Sequence, residues 1–403
     1  MVILNSNNME VEIMSTKLIK PSSPTPNQLQ NYKLSFFDQI ADEAHLPLVL
    51  FYPPTHNNTN YASNQEQFEQ SLSRILTHVY YLTRRMTSSC QDQGVKFVKA
   101  KVNSKLNEFL EKAHKDVNLA LLCWPKDTWN VDDTNLFTVP IVIVQFTEFE
   151  CGGLALSMSH AHPAMDVCKL GIPEDKIDFL SFNLGDVFPS RDLSKLLLPR
   201  VPKEDRADAK LVAKRLYINK DSILRLREEV GDLCFKPSRV EMIMALLWRA
   251  LIRASEKKHG HLRRSLIGIP INMHPKKKSL PQVEKSFGNL VIDAPLHNFV
   301  KLIRDTVKET IITCDKNSPD EVVAAVANLY NESFRAPEWD GSDEEADFGW
   351  GKPCLMHFGS RHNEYCWLYD AECGNGICVQ VDLKEVNVKL FECEEDIRSF
   401  FEF

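Results

Sequence analysis

Two adjacent glycines between two apolar runs, Gly152-Gly153, constrain this chain more than any other feature. The β-branched run Val139 to Val144 leads into them and Leu154 to His160 leaves them, so the spacing predicts a β-hairpin. Pro163 cannot donate to a sheet ladder, which predicts that the second strand stops at His162. Its fixed φ also suits the first position of a short helical turn, and Asp166 follows His162 by four residues. A histidine at the mouth of a buried strand, held by the turn after it, is placed as a general base would be. His160 lies two residues earlier and shares its strand face, so the residues leave either as the reactive one. Only His162 has the aspartate four residues on. The spacing also arises by chance in a chain with 12 histidines. A strand-end histidine near a surface aspartate therefore explains it as well.

A length of 403 residues is enough for two domains with buried cores. With 43% hydrophobic and 26% charged residues, the composition is that of an ordinary globular protein. A net charge of −7 and the absence of a basic stripe give no reason to expect nucleic acid. The densest basic run, Lys276-Lys277-Lys278, has the length of a solvated loop. Met1 to Glu12 lacks the apolar core of a secretory signal, and no run approaches 18 apolar residues, so no membrane span is expected. The 11 cysteines are odd in number and scattered, which reads as reduced thiols in the cytoplasm. Cys373 and Cys378 flank a Gly-Asn-Gly turn and have no second pair of zinc-ligand spacing, so no metal is expected. A metal hydrolase built on His160 and His162 would need a third ligand nearby, and none is spaced for it.

Along the chain, strands are expected at Glu10–Ile19, His45–Tyr52 and Gly94–Val102, with Lys20 to Pro26 as an extended proline-rich segment. Helices are expected over Asn64–Arg84, where Phe68, Leu72, Ile75, Leu76 and Val79 keep amphipathic spacing, and over Leu106–His114. Prolines and charges dominate 188–209, which predicts a linker between a domain of residues 1–187 and one of residues 210–403. In the second half, strands are expected at Lys210–Ile218, Arg264–Ile271 and from Gly288 to Ile292. Helices are expected at Ser222–Val230, Val240–Ala254, Val300–Thr313 and Glu321–Tyr330, and the final stretch alternates as strands. This mixed order argues for α/β or α+β layers in each half.

A second signature is Asp347-Phe348-Gly349-Trp350-Gly351. Its Asp-Phe-Gly part does not mark a protein kinase, because no glycine-rich phosphate loop or His-Arg-Asp loop accompanies it. Two glycines around a tryptophan make a tight turn that plants a large ring, which favours a structural role.

Taken together, His162-x-x-x-Asp166 and Asp347 to Gly351, in this order and separation, resemble the plant BAHD acyltransferase family. Phe149-x-Cys151-Gly152-Gly153 and Phe287-Gly288-Asn289 match as well. Leu18 to Pro26 with Leu34-Ser35-x-x-Asp38-Gln39 is similar to the branch that contains vinorine synthase and salutaridinol acetyltransferase. The resemblance covers essentially the whole chain. It implies two domains of chloramphenicol-acetyltransferase-like fold with the active-site channel between them. It also implies a monomer with no permanently bound cofactor, using acyl-CoA (acetyl-CoA first) and a small-molecule alcohol or amine acceptor, such as an alkaloid. Five features depart from the family pattern, one of them the family's Tyr-Pro-Leu-Ala-Gly-Arg segment, which stands here as Tyr80-Tyr81-Leu82-Thr83-Arg84-Arg85. Val167 stands where a glycine usually follows the motif aspartate, and His274, in Asn272-Met273-His274, stands where an arginine usually pairs it. Gly171 and Pro173 break the helix expected after the motif, and the acidic stretch Trp339 to Ala346 replaces a strand.

The resemblance makes His162 the general base for O-acyl transfer and gives Asp166 a structural role in holding the local backbone. Asp347, Gly349, Trp350, Gly351 and His274 join it as structural support. Ser238 and Arg239 of Pro-Ser-Arg-Val-Glu are candidates for CoA contact. A helix N-cap and its neighbour fit those two residues equally well. The departures leave a second reading open: a weakly active or non-catalytic member of the family that binds or regulates.

Overall fold

The computed structural model describes residues 3–6, 9–30, 33–36, 39, 45–54, 61–83, 92–125, 140–161, 184–192, 211–262, 265–271, 283–290, 294–316, 318, 320–321, 354–358, 364–371 and 375–402. The chain divides into two compact units, one of Met1–Ser190 with Gly341–Gly359 and one of Arg191–Asp340 with Ser360–Phe403.

The first unit is built on a mixed seven-stranded sheet. Its strands are β1 (Ile3–Ser6), β2 (Met9–Ile19), β3 (His45–Tyr52), β4 (Val95–Val102), β5 (Val142–Phe149), β6 (Leu154–Ala161) and, from much later in the chain, β10 (Leu355–Phe358). Their order across the sheet is β1-β2-β4-β5-β6-β3-β10. Only β4 and β5 run parallel; the other neighbours are antiparallel. Helix α1 (Tyr61–His78) covers one face, where Phe68 meets Phe97 and Phe146 at ring separations of 6.2 and 6.4 Å. Helix α2 (Leu106–Lys115) covers the other, with Phe109 5.7 Å from Phe51 and 5.2 Å from Phe149. Each such ring taken out of water contributes roughly 1.5–3 kcal/mol, so strands apolar on both faces are the ones that end up in the middle. The proline-rich segment is indeed extended and is sewn to α1. Ser22 donates its N–H to the Ser73 carbonyl at 3.0 Å, and the Ser73 hydroxyl donates to the Lys20 carbonyl at 2.7 Å. Further on, Thr25 donates its N–H (2.9 Å) and its hydroxyl (2.5 Å) to the Asp92 carboxylate.

The second unit holds a three-stranded antiparallel sheet of β7 (Leu211–Asn219), β11 (Tyr365–Asp370) and β12 (Gly376–Lys384), ordered β11-β12-β7. It also holds the pair β8 (Ser265–Ile271) and β9 (Val283–Leu290). Helices α4 (Lys220–Val230), α5 (Arg239–His259), α6 (Leu296–Lys316), α7 (Glu385–Glu392) and α8 (Glu395–Phe400) complete the unit; α3 (Leu184–Val187) is a single turn in the first. α5 is buried along most of its length from Met242 to Ala254. It packs on α6 through Trp248 and Phe299, whose rings stand edge-to-face at 5.4 Å. Gly260 ends it with φ +73, a left-handed value that glycine adopts without strain, while its N–H bonds the Glu256 carbonyl at 2.8 Å. The buried Arg249 joins three helices. Its Nε and Nη2 donate to both oxygens of Asp396 on α8 at 2.7 and 2.6 Å, and Nη2 also donates to Glu229 on α4 at 2.6 Å. Burial alone would lower the Arg249 pKa, but the hydrogen bonds from Asp396 and Glu229 outweigh it and the net shift is upward.

The mixed α/β class expected from the sequence is the one found, with several differences of detail. A single boundary would keep 210–403 in one domain, yet Leu355–Phe358 pairs with β3 of the first unit. Phe188 and Pro189, expected to open a linker, belong to the first unit. Phe188 is buried and its carbonyl accepts from the Phe36 N–H, while Pro189 bridges Ser35. The strand expected to begin at Gly288 begins at Val283, because the whole of β8 pairs with it. The alternation read as strand at the C-terminal end continues into α7 and α8. There Val386 is exposed while Val388 and Phe391, three apart, are buried, which is helical spacing. Of the expected helix Glu321–Tyr330, residues 322–330 lie outside the described residues.

Removing one partner of a buried ion pair strands the other charge, which typically costs about 3–5 kcal/mol. Asp396→Ala should therefore lower the urea midpoint of the second unit's transition sharply. The double replacement Arg249→Met with Asp396→Leu should lose far less. Equal losses in the two proteins would show that packing, not charge, holds α8 in place.

Candidate active site

The hairpin is built as its residues require. Gly152 has φ +96, and its N–H closes on the Phe149 carbonyl at 3.0 Å while the Phe149 N–H bonds the Gly153 carbonyl at 3.0 Å. A Cβ at Gly153 would stand 2.7 Å from the Leu106 side chain, so this glycine is needed to let the start of α2 approach. Cys151 completes the seat: its Sγ accepts the Leu106 N–H at 3.2 Å, one of the amides at a helix start with no partner inside the helix. Phe149-x-Cys-Gly-Gly is thus the socket in which α2 sits.

β6 then runs through the middle of the sheet. It pairs with β5 from Leu154↔Glu148 to His160↔Val142, and with β3 from Leu154↔Tyr52 to Ala161↔His45. It ends at Ala161, one residue before His162. His160 is therefore a fully paired strand residue, in register with Val142 and Leu46. His162, Asp166, His274, Asp347, Gly349, Trp350 and Gly351 lie outside the described residues, and so does Val167.

What is described on either side of them is informative. Register continues from Ala155 on β6 to Phe51 on β3 and on to Leu355 on β10. The Cys354 N–H, just before β10, bonds the Phe51 carbonyl at 2.7 Å. The chain leaving Gly351 therefore enters the sheet at the level of Ala155. That level lies six residues, or about 20 Å of strand, from Ala161. Beside β6 the sheet carries buried polar side chains in one cross-strand row, Gln145 and Ser157, with His357 beyond Val49. Gln145 donates from Nε2 to Thr147 at 3.1 Å.

Ser238 and Arg239 stand at the exposed start of α5. The Ser238 hydroxyl accepts the Glu241 N–H at 3.2 Å, and the Glu241 carboxylate accepts the Ser238 N–H at 2.7 Å, a reciprocal capping box. Arg304 on α6 forks onto the same carboxylate while its guanidinium lies 4.6 Å over the Phe235 ring. Arg239 pairs with Asp370 at 3.1 Å, both largely exposed. These two residues thus have local structural partners, a cap and a surface ion pair. Phe287-Gly288-Asn289 lies within β9, close to the register shift between Ser265 and Ile267 of β8. Among the described residues no cluster of three or more His, Cys, Asp or Glu could hold a metal ion, and no helix is long and apolar enough to cross a membrane.

The family model described as Transferase family matches residues 9–171 and 189–335. The chain belongs to this family, the BAHD acyltransferases. Among its relatives, limonoid 21-O-acetyltransferase of Melia azedarach is 29% identical over 428 residues, covering 97% of this chain and 98% of the relative. Salutaridinol 7-O-acetyltransferase of Papaver somniferum is 27% identical over 471 residues, with 95% and 96% covered. Among solved structures, vinorine synthase superposes with a TM-score of 0.77 at 24% identity, covering 97% of this chain and 98% of that one. F. sporotrichioides TRI101, complexed with coenzyme A and T-2, superposes with a TM-score of 0.68 at 13% identity, covering 92% and 99%. The fold of this BAHD chain is thus the one shared by these acyltransferases.

The capping box predicts a pH dependence. Burial alone would raise the Glu241 carboxyl, but hydrogen bonds from Arg304 and Ser238 outweigh it and hold the group below its ordinary range. A depressed folded-state pKa adds stability that is complete above the unfolded-state value, about 4.3, and is lost as pH falls through the folded-state value. The difference in thermal midpoint between the parent and Glu241→Gln should therefore be largest near neutral pH and shrink on acidification below about pH 4. A difference that stays constant from pH 7 to the acid limit would contradict this.

Proposed function

We propose that the chain transfers an acyl group, acetyl in the first instance, from acyl-CoA to a hydroxyl of a specialised metabolite of the alkaloid or terpenoid kind, with His162 as general base. The observation that carries the reading is the delivery of the His-x-x-x-Asp segment from the end of a strand paired on both edges, in a chain of this family. Acyl-CoA is a co-substrate, and the protein works as a cytoplasmic monomer with no resident cofactor.

The chemistry is direct transfer. The neutral imidazole of His162 takes the acceptor's hydroxyl proton as its oxygen bonds to the thioester carbonyl carbon. The tetrahedral oxyanion collapses, the C–S bond breaks, and the imidazolium returns the proton to the departing thiolate to give the ester and free CoA. No serine or cysteine nucleophile is required. Asp166 holds the turn behind the histidine, with His274 as its partner. A neutral imidazole offers a carboxylate one hydrogen bond where a guanidinium offers a charged fork. Asp347 to Gly351 acts as a structural turn. Ser238 and Arg239 have capping and ion-pair partners and are not assigned to CoA.

Purified protein given acetyl-CoA and a panel of alkaloid, terpenoid and phenolic alcohols should release free CoA only when a matching acceptor is present. Loss of a positioned base costs about 10²–10⁴ in rate, so His162→Ala should fall towards background while still binding CoA. A folded parent that binds CoA yet turns over no acceptor would favour the non-catalytic reading. Trp350→Ala should lower folded yield or thermal midpoint, since truncating a buried aromatic costs about 3–5 kcal/mol. A fully stable Trp350→Ala protein impaired only in its chemical step would place that turn at the reacting atoms instead.

A further inference from the structure

The three-stranded sheet of the second unit has two unlike faces. Leu216, Ile218, Val379, Val381 and Leu368 point into the core formed with the helices. On the opposite face the register sets Arg215 across from Gln380, and Gln380 across from Trp367. The next row sets Tyr217 across from Cys378, and Cys378 across from Tyr369. Asp382 is spent within this face, accepting from Trp367 Nε1 at 3.3 Å and Gln380 Nε2 at 3.1 Å. The Cys378 thiol donates to the Tyr369 phenol oxygen at 3.2 Å, a bond that does not use the phenol's own proton.

Arg215 brings to this face a charge that no carboxylate among the described residues neutralises. Its Nε, Nη1 and Nη2 are all shut off from solvent, and among the described residues it meets the neutral Tyr369 phenol but no carboxylate. A guanidinium stays charged under all ordinary conditions and carries five donors in a fixed fork. Held dry without an anion it is among the most costly groups a fold can contain. The neighbours that feel its charge, Tyr369 and Cys378, cannot supply the missing anion. Burial is the largest influence on each and pushes both upward, so phenol and thiol stay neutral.

We propose that Arg215, with Tyr369 and Cys378 beside it, forms a binding site for a compact oxyanion, a carboxylate or a phosphate group. The guanidinium fork matches two oxygens of either group. The site is independent of the acyl-transfer reading, since it rests on the buried face of β7, β11 and β12 alone. The same chemistry could come from free phosphate or from an organic acid, so the test uses both.

Thermal midpoints and isothermal titrations of the full chain would be measured in phosphate, in acetate and in chloride at equal ionic strength. The parent should show saturable binding of phosphate or acetate and a midpoint raised by about 1–3 °C over chloride. The preferred anion identifies the source. Arg215→Gln should lose both effects. Cys378→Glu, which sets a carboxylate next to the guanidinium, should melt at or above the parent in chloride and no longer respond to either anion. If Arg215→Gln does not fold, Cys378→Glu alone carries the comparison. A parent that binds neither anion would overturn the proposal. So would an Arg215→Gln protein that responds like the parent, or a Cys378→Glu protein that still does.

Discussion

Strand β6 is hydrogen-bonded along both edges, to β5 from Leu154 to His160 and to β3 from Leu154 to Ala161. A strand paired on both sides cannot slip by one residue without turning every side chain to the opposite face. Here that would drive Ser157 and Ser159 into the layer occupied by Leu156 and Met158, all of them buried. The hairpin turn removes the remaining freedom. Gly153 touches Leu106, and Cys151 accepts the first amide of α2, so the turn end of β6 is anchored to a helix on one face. With one end anchored and both edges paired, the place where β6 releases the chain is set. The proposed base follows directly, at His162. In this account the rigid sheet supplies the positioning.

The second unit is held by a different device. α5 is apolar almost all round, so it must be covered on every side. Its one buried charge, Arg249, draws in α4 through Glu229 and α8 through Asp396. Its first turn is tied to α6 by Glu241 and Arg304. Arg249 and Arg215 are a telling contrast within one unit: the first has a bidentate carboxylate, the second has dry nitrogens with no carboxylate among the described residues. A fold that meets the demand so fully in one place leaves the other as a place where an outside anion belongs.

Much of this was readable from residue types and spacing. Gly152-Gly153 announced the hairpin, and Ser238 fitted a helix N-cap beside the alternative of CoA contact. Periodicity placed α1, α2 and α5 within a few residues. What could not be read are pairings between distant segments. β10 lies about 300 residues from β3, yet its ladder with that strand makes it part of the first unit, and nothing local in Leu355–Phe358 announces this. Gly153 is required by Leu106, 47 positions earlier, a contact that local pattern does not encode. At the C-terminal end, Val386 and Val388 alternate as in a strand, while Val388 and Phe391 keep helical spacing. The helix core under Val388 and Phe391 decided for the helical one. Nor does the sequence of β7 show that the nitrogens of Arg215 are shut off from solvent.

The central claim is that acyl transfer depends on one imidazole, that of His162, placed by the end of β6. The pH dependence of kcat/KM with acetyl-CoA and a matched alcohol, for the parent, His160→Ala and His162→Ala, tests this most directly. The account predicts a rate that rises with pH through the ionisation of a single imidazole. That limb should persist in His160→Ala and be absent from the residual activity of His162→Ala. If the limb survived in His162→Ala and vanished in His160→Ala, the base would belong to the paired strand itself, and the account of the site would be wrong.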